Sequence, residues 1–181
     1  MRLYVGHEIS RGALDFYKKT LSFLDSNEIP IKKSRIPHIT LKSPFVISNY
    51  RAFSNLIEEF ARESKTALYG LEEFCFFQED SEDITALKVA PSPGFIEMHE
   101  ALLKKIRLYD PNIFFSPYDS SNKMHHISLV KSKDVGSKLT KRAYDILKDR
   151  KIPESEMALD ELCIFEKTDE GTRVRERFQL S

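Results

Sequence analysis

Two short stretches decide the reading of this chain: Arg35-Ile36-Pro37-His38-Ile39-Thr40-Leu41 and His125-His126-Ile127-Ser128-Leu129. Each sets a histidine and a hydroxyl residue two positions apart, with an isoleucine between them. In an extended strand, residues two apart project from one face. His38 and Thr40 therefore point one way while Ile39 and Leu41 point the other, and His126 with Ser128 opposes Ile127 with Leu129 in the same manner. The aliphatic pair anchors each strand in a core, which leaves an imidazole and a hydroxyl side by side on the opposite face.

The two histidines lie 88 residues apart, and the same offset separates Leu71-Glu72-Glu73-Phe74-Cys75-Phe76-Phe77 from Leu159-Asp160-Glu161-Leu162-Cys163-Ile164-Phe165. Two separate matches at one ungapped offset mark an internal duplication. Between these anchors, Phe53, Leu56, Ile57 and Phe60 fall at i, i+3, i+4, i+7, and Leu139, Ala143 and Ile146 have similar spacing, so each predicts an amphipathic helix on a sheet. Upstream, Leu3-Tyr4-Val5 predicts a strand, followed by a helix whose stripe is Leu14, Tyr17, Leu21 and Leu24. The second half answers with a strand from Ile84 to Val89, Ser92 as an N-cap, Pro93 as the first helical residue, and Phe95, Met98, Leu102 and Ile106 as the buried stripe.

The repeating unit is strand, helix, histidine-bearing strand, helix, strand. Written twice, it predicts an α+β protein of two pseudo-symmetric α/β lobes, roughly 1–80 and 81–181. Antiparallel-rich sheets line a central cleft and the helices lie outside. With no Gly/Ser-rich linker between them, the interleaved lobes are expected to form one domain over 1–181. Asp169-Glu170-Gly171 predicts the turn of a last hairpin, from Leu162 to Glu166 and from Thr172 to Leu180, that closes the second lobe.

A chain of 181 residues can bury a sizeable core as one unit. Its 28 basic and 28 acidic side chains and 41% apolar content are those of an ordinary soluble globular protein. Zero formal net charge excludes a protein that coats long nucleic acid, which needs many phosphate contacts from a basic surface. A short or small phosphorylated ligand stays open. Cys75 and Cys163 sit in apolar runs without metal-ligand spacing and are expected as buried thiols, with no disulfide. The first residues lead straight into a strand with no signal-peptide core, and nowhere do eighteen apolar residues run together, so a cytoplasmic protein without membrane contact is expected.

A phosphodiester is cleaved by activating a water or hydroxyl on one side of phosphorus while protonating the departing oxygen on the other. Two imidazoles suit that chemistry, since an unperturbed pKa near ~6.5 lets one act as base while its protonated partner acts as acid. The Thr40 and Ser128 hydroxyls would donate to the non-bridging oxygens as charge develops there. No metal is required. One His-x-Thr alone is a weak signal, and a duplication can preserve packing in place of chemistry; yet packing explains the isoleucines better than the hydroxyls.

Other residues weigh less. His125 should point to the face opposite His126, which disfavours a metal clip from the pair. His99, inside a helix, and His7, just beyond the first strand, read as structural or solvated. Lys42 lies four residues after His38, on the same strand face, where it either reaches a phosphate or is simply solvated; its repeat equivalent is Val130. Tyr118 either stacks on a base or packs in its loop. The chain lacks the several alternating histidines of the histidine-triad hydrolases.

The segments around His38 and His126 resemble the paired motifs of the two-histidine (2H) phosphoesterases, most closely the 2'-5' RNA ligase-like branch. The resemblance extends through Leu87-Lys88-Val89-Ala90-Pro91-Ser92-Pro93 and the following helix, although only the two histidine motifs are specific. It implies two pseudo-symmetric lobes with the active site in the groove between them. Family members hydrolyse 2',3'-cyclic phosphates on RNA ends or nucleotides, cleave cyclic phosphates derived from ADP-ribose, or join RNA through 2'-5' linkages, generally without a metal. On that resemblance His38 and His126 form the acid/base pair, and Thr40 and Ser128 bind the phosphate. The expected substrate is a small nucleotide or RNA 3' end with a cyclic phosphate, taken by a monomer without a cofactor. His125 departs from the pattern, since many relatives have proline there. A 2'-5' RNA ligase and a nucleotide- or RNA-binding module without turnover are the alternatives.

Overall fold

The computed structural model describes residues 1–31, 36–79, 82–120, 123–134, 136–168 and 171–181. The apolar run Leu3-Tyr4-Val5 nucleates β1 (Arg2–Glu8), which extends far enough to hold His7 inside the strand, not beyond it. In α1 (Arg11–Ser26) the buried face is Ala13, Tyr17, Thr20 and Leu24, while Leu14 and Leu21 are only half-buried. The face is rotated from the predicted stripe of Leu14, Tyr17, Leu21 and Leu24, and Thr20 loses no hydrogen bond on burial: its hydroxyl donates to the Phe16 carbonyl at 2.9 Å.

The chain continues through β2 (His38–Val46), α2 (Tyr50–Glu63), β3 (Ala67–Glu79), β4 (Glu82–Pro91) and α3 (Pro93–Tyr109). It ends with β5 (His126–Ser132), α4 (Lys138–Leu147), β6 (Met157–Leu159), β7 (Glu161–Thr168) and β8 (Gly171–Gln179). Helix α2 buries Phe53, Ile57 and Phe60 behind an Asn49 cap. Helix α3 starts as its cap residues dictate, with the Ser92 hydroxyl accepting from Phe95 N at 3.2 Å and Pro93 in the first turn. Its buried stripe adds His99 and Leu103 to the four predicted residues.

All strand pairs are antiparallel, in two four-stranded sheets ordered β2-β1-β7-β8 and β5-β4-β3-β6. The last hairpin therefore lies in the first sheet and does not close the second lobe. The same topology departs from the cut at 80/81, because each half lends its third long strand to the other's sheet. A physical reason is local: β3 leads directly into β4 and pairs with it, the usual outcome for consecutive strands joined by a short connection. Its repeat equivalent β7 pairs with β1 in the same sense. Asp169 and Glu170 of the predicted turn lie outside the described residues, and Gly171 opens β8 with φ 144°.

One apolar cluster draws on both sheets, uniting Leu3, Ile39 and Leu41 with Leu87, Ile127 and Leu129. The α+β class and the aliphatic anchoring of both motifs are as the sequence predicts. Both cysteines are free thiols; Cys163 is buried and Cys75 half-buried. Among the described residues, no helix is long and apolar enough to cross a membrane.

Candidate active site

The two histidine strands, β2 and β5, are the adjoining edges of the two sheets and touch one another. Along β1 and β2 the ladder pairs Glu8 with His38 and Gly6 with Thr40, then jumps to Val5 with Lys42. Along β4 and β5 it pairs Lys88 with His126 and Ala86 with Ser128, then jumps to Thr85 with Val130. The skipped residues, Leu41 and Leu129, are repeat equivalents, so both motifs end in the same β-bulge. A bulge breaks the two-residue alternation, and here it buries two consecutive residues in each strand.

That bulge corrects the expectation for Lys42. Its side chain turns away from His38 and Thr40 into the interior, where Nζ lies 2.9 Å from Asp119 Oδ2 and donates to the Phe114 carbonyl at 2.9 Å. Against burial, which alone would raise it, the Asp119 carboxyl is held below its ordinary value by hydrogen bonds from Ser43 and by Lys42. Ser43 N and Oγ both donate to Asp119 at 2.7 Å, and Ser116 N donates at 2.8 Å. Lys42 thus staples the 114–119 segment to β2. Tyr118 rides on that segment with its side chain 40% exposed.

His38 Nδ1 bonds to the Ile36 carbonyl at 2.8 Å, which assigns Nδ1 the proton and directs acid/base chemistry to Nε2. For His126 the backbone of Met124, also two residues back, favours the protonated ring. The His38 ring rests on Phe165 with centroids 4.9 Å apart, and His126 meets Phe77 edge-on at 4.8 Å. Phe77 and Phe165 are repeat equivalents on the exchanged strands, so each imidazole is seated on a phenyl ring from the other half. Beside His38, Tyr4 stacks on Phe165 at 4.7 Å. Gly6 makes room for this arrangement: a Cβ there would come 2.5 Å from the Ile39 carbonyl oxygen and 3.3 Å from the Phe165 ring.

The cross-strand neighbours differ. Glu8 faces His38 across the ladder, whereas Lys88 faces His126. Burial, then repulsion from Lys131, Lys123 and His38, pushes the His126 imidazole down to about 4. It is neutral at pH 7 and able to accept a proton.

Sequence reasoning missed the side chains that hold the bulges. His99 Nε2 donates to the Leu41 carbonyl at 2.6 Å, and Lys123 Nζ donates to the same oxygen at 3.3 Å. In the other lobe the Tyr17 hydroxyl donates to the Ser128 carbonyl at 3.2 Å. Tyr17 of α1 serves the second motif and His99 of α3 the first, a crossed pair of clamps. The available signal was a polar-tipped residue inside an apolar helix stripe. Lys131 was also passed over, since nothing in strand periodicity singles it out.

The remaining histidines are structural. His125 points opposite His126, as expected, and packs against Phe95 and His99 at centroid distances of 4.8 and 5.0 Å. Burial first, then the charge of Lys123, pushes His99 down to about 4 and His125 to about 2. His7 is buried with Nδ1 donating to the Glu161 carbonyl at 3.1 Å. Among the described residues, Glu8, Glu161 and Cys163 converge within 4.8 Å, the spacing of a metal cluster. Their own bonds already satisfy them: Arg177 donates to Glu8 at 2.6 Å and the Cys163 thiol, pushed up to about 12 by burial, donates to Glu161 at 3.4 Å.

The family model described as the 2'-5' RNA ligase superfamily matches residues 21–171. Among solved structures, TT0787 of Thermus thermophilus aligns with a TM-score of 0.69 at 15% identity, covering 99% of this chain and 98% of that one. Escherichia coli LigT complexed with NADP+ aligns with 0.62 at 13% identity, over 99% and 97%. Kluyveromyces marxianus Usb1 aligns with 0.56 at 14% identity, over 99% and 98%. At such identities the likeness is one of fold, and it spans the whole two-lobed architecture. A search of curated proteins found no match.

Proposed function

This chain belongs to the 2'-5' RNA ligase superfamily, and from that premise we propose that it hydrolyses a 2',3'-cyclic phosphate, or a related cyclic or 2'-5' phosphodiester, on an RNA end or small nucleotide. The observation that carries the reading is the doubled site. Two imidazoles have equivalent seats, each with a hydroxyl residue beside it, on the adjoining edge strands of the two sheets. His126, neutral at pH 7, takes the proton of the attacking water as its oxygen bonds to phosphorus. His38, faced by a carboxylate, gives a proton to the ribose oxygen as the P–O bond to it breaks. Thr40 and Ser128 donate to the non-bridging oxygens, whose charge rises in the transition state.

Solved relatives support a ligand of this size. Escherichia coli LigT was crystallised with ATP and with 3'-AMP, and Kluyveromyces marxianus Usb1 with uridine monophosphate. Tyr118 is placed in this reading as a stacking surface for a base. The test is turnover of nucleoside 2',3'-cyclic phosphates and of a short RNA with a cyclic end, in the presence of chelator. Wild type is expected to act with no metal, and His38→Ala and His126→Ala are each expected to lose about 10²–10⁴-fold. Turnover that requires a metal, or survives both substitutions, overturns the reading.

A further inference from the structure

The floor of the groove is unequal on its two sides. In the first sheet, cross-strand partners run in one row from Thr40 of β2 to Gly6 of β1, Cys163 of β7 and Arg177 of β8. At about 4.8 Å per strand, that row ends about 14 Å from Thr40. In the second sheet, the equivalent row runs Ser128, Ala86, Cys75 and stops, because β6 pairs with β3 only at Ala67, Leu68 and Tyr69. The fourth strand gives the first lobe a groove-facing residue that has no counterpart across the seam.

Arg177 leans back along its row toward the motif. Its Nη2 donates to Glu8 Oε2 at 2.6 Å, and Glu8 stands directly opposite His38. Through Glu8 the guanidinium thus reaches from the outer strand toward the strand position of His38. The floor under it is low, since Gly6 has no side chain and Cys163 is fully buried. The Arg177 side chain is 52% exposed, and its Nε lies 4.0 Å from Glu161, the other acidic group beside it. Glu8 takes one of the five guanidinium N–H donors and fixes the plane of the group, a fork suited to bidentate phosphate contact. Lys88, the cation beside His126, is instead held by two carboxylates, Glu72 and Glu73, each at 3.0 Å.

We propose that Arg177 forms a second phosphate subsite, binding the phosphate on the 5' side of the nucleotide whose cyclic phosphate lies between the histidines. This inference rests on the cyclic-phosphate reading and narrows it to substrates with two phosphates one nucleotide apart. The second phosphate is either a terminal 5'-phosphate or the internucleotide phosphodiester of an RNA end.

Binding tests the subsite without turnover. By calorimetry, adenosine 3',5'-bisphosphate is expected to bind wild type about tenfold or more tightly than adenosine 3'-monophosphate. Arg177→Ala is expected to erase that ratio, and Arg177→Lys to retain part of it. Equal affinities in wild type, or a ratio that persists in Arg177→Ala, overturn the proposal. Turnover then separates the sources: kcat/KM is compared for adenosine 2',3'-cyclic phosphate with and without a 5'-phosphate, and for a diadenosine ending in a cyclic phosphate. The preference for the added phosphate is expected to fall in Arg177→Ala, whereas an equal loss on all substrates marks mere support of Glu8 and overturns the subsite. If no cyclic phosphate is cleaved while the binding ratio holds, the hydrolase reading falls and the subsite stands.

Discussion

In the first lobe Thr40 precedes a bulge whose carbonyl accepts from a histidine of α3; in the second, Ser128 precedes the equivalent bulge and its own carbonyl accepts from a tyrosine of α1. The backbone, the seat of each imidazole and the crossing of the clamps are alike. The charges are not: Glu8 and a buried Lys42 mark one lobe where Lys88 and Val130 mark the other. The comparison teaches that the duplication kept the geometry that orients two histidines and changed the charged groups around them.

Acid breaks the comparison most strongly. His99, which clamps the first motif, and His125, which precedes His126, are buried against one another and held near 4 and 2 against an ordinary 6.5. The unfolded chain binds protons below about 6.5 that the folded chain refuses, so stability is complete above that pH and declines as pH falls toward 4. Each histidine contributes a slope approaching about 1.4 kcal/mol per pH unit. Denaturant titrations at several pH values should show this, and His99→Gln should flatten the slope by nearly one proton; an unchanged slope contradicts the buried neutral pair. Tyr17, in the matching clamp, adds no such dependence.

The staple comes next. Asp119→Ala leaves the Lys42 ammonium buried without its counter-ion and is expected to cost about 3–5 kcal/mol in chemical denaturation. Val130→Ala, at the equivalent place in the second lobe, strands no charge and should cost clearly less. A third contrast pairs Gly6→Ala with Ala86→Gly. The first drives a methyl into the Ile39 carbonyl and the Phe165 ring, with an expected loss of about 1–3 kcal/mol and of activity. The second only loosens a strand, by about 0.5–1 kcal/mol, with activity kept. Thermal melts and initial rates check both. Smallest is Tyr17→Phe, which deletes one hydrogen bond to Ser128 for about 0.5–1.5 kcal/mol; its mark is a drop in kcat of a few fold at constant fold content.

Much of this architecture was legible because the patterns are local. A two-residue alternation placed His38, Thr40, His126 and Ser128, and cap residues placed α3. What a linear repeat leaves open is which sheet a strand joins, so the exchange of β3 and β7 and the seat of the last hairpin emerge only in three dimensions. Lys42 was misplaced for a different reason: alternation assumes an unbroken ladder, and a bulge inserts one residue without a composition signal. The same shift hides cross-strand neighbours, which is why Glu8, Lys88 and Arg177 carried no message until register was known.

The most direct test of the central claim is kcat/KM for a nucleoside 2',3'-cyclic phosphate as a function of pH, with chelator present, in wild type and in both histidine variants. With His126 as the base, held down to about 4, the acid limb of the wild-type rate is expected near that value, with no loss of rate as pH falls through ~6.5, and the rate is expected to collapse in His38→Ala and His126→Ala. An acid limb centred near the ordinary histidine value of ~6.5, or turnover that outlives the loss of either imidazole, would contradict the account.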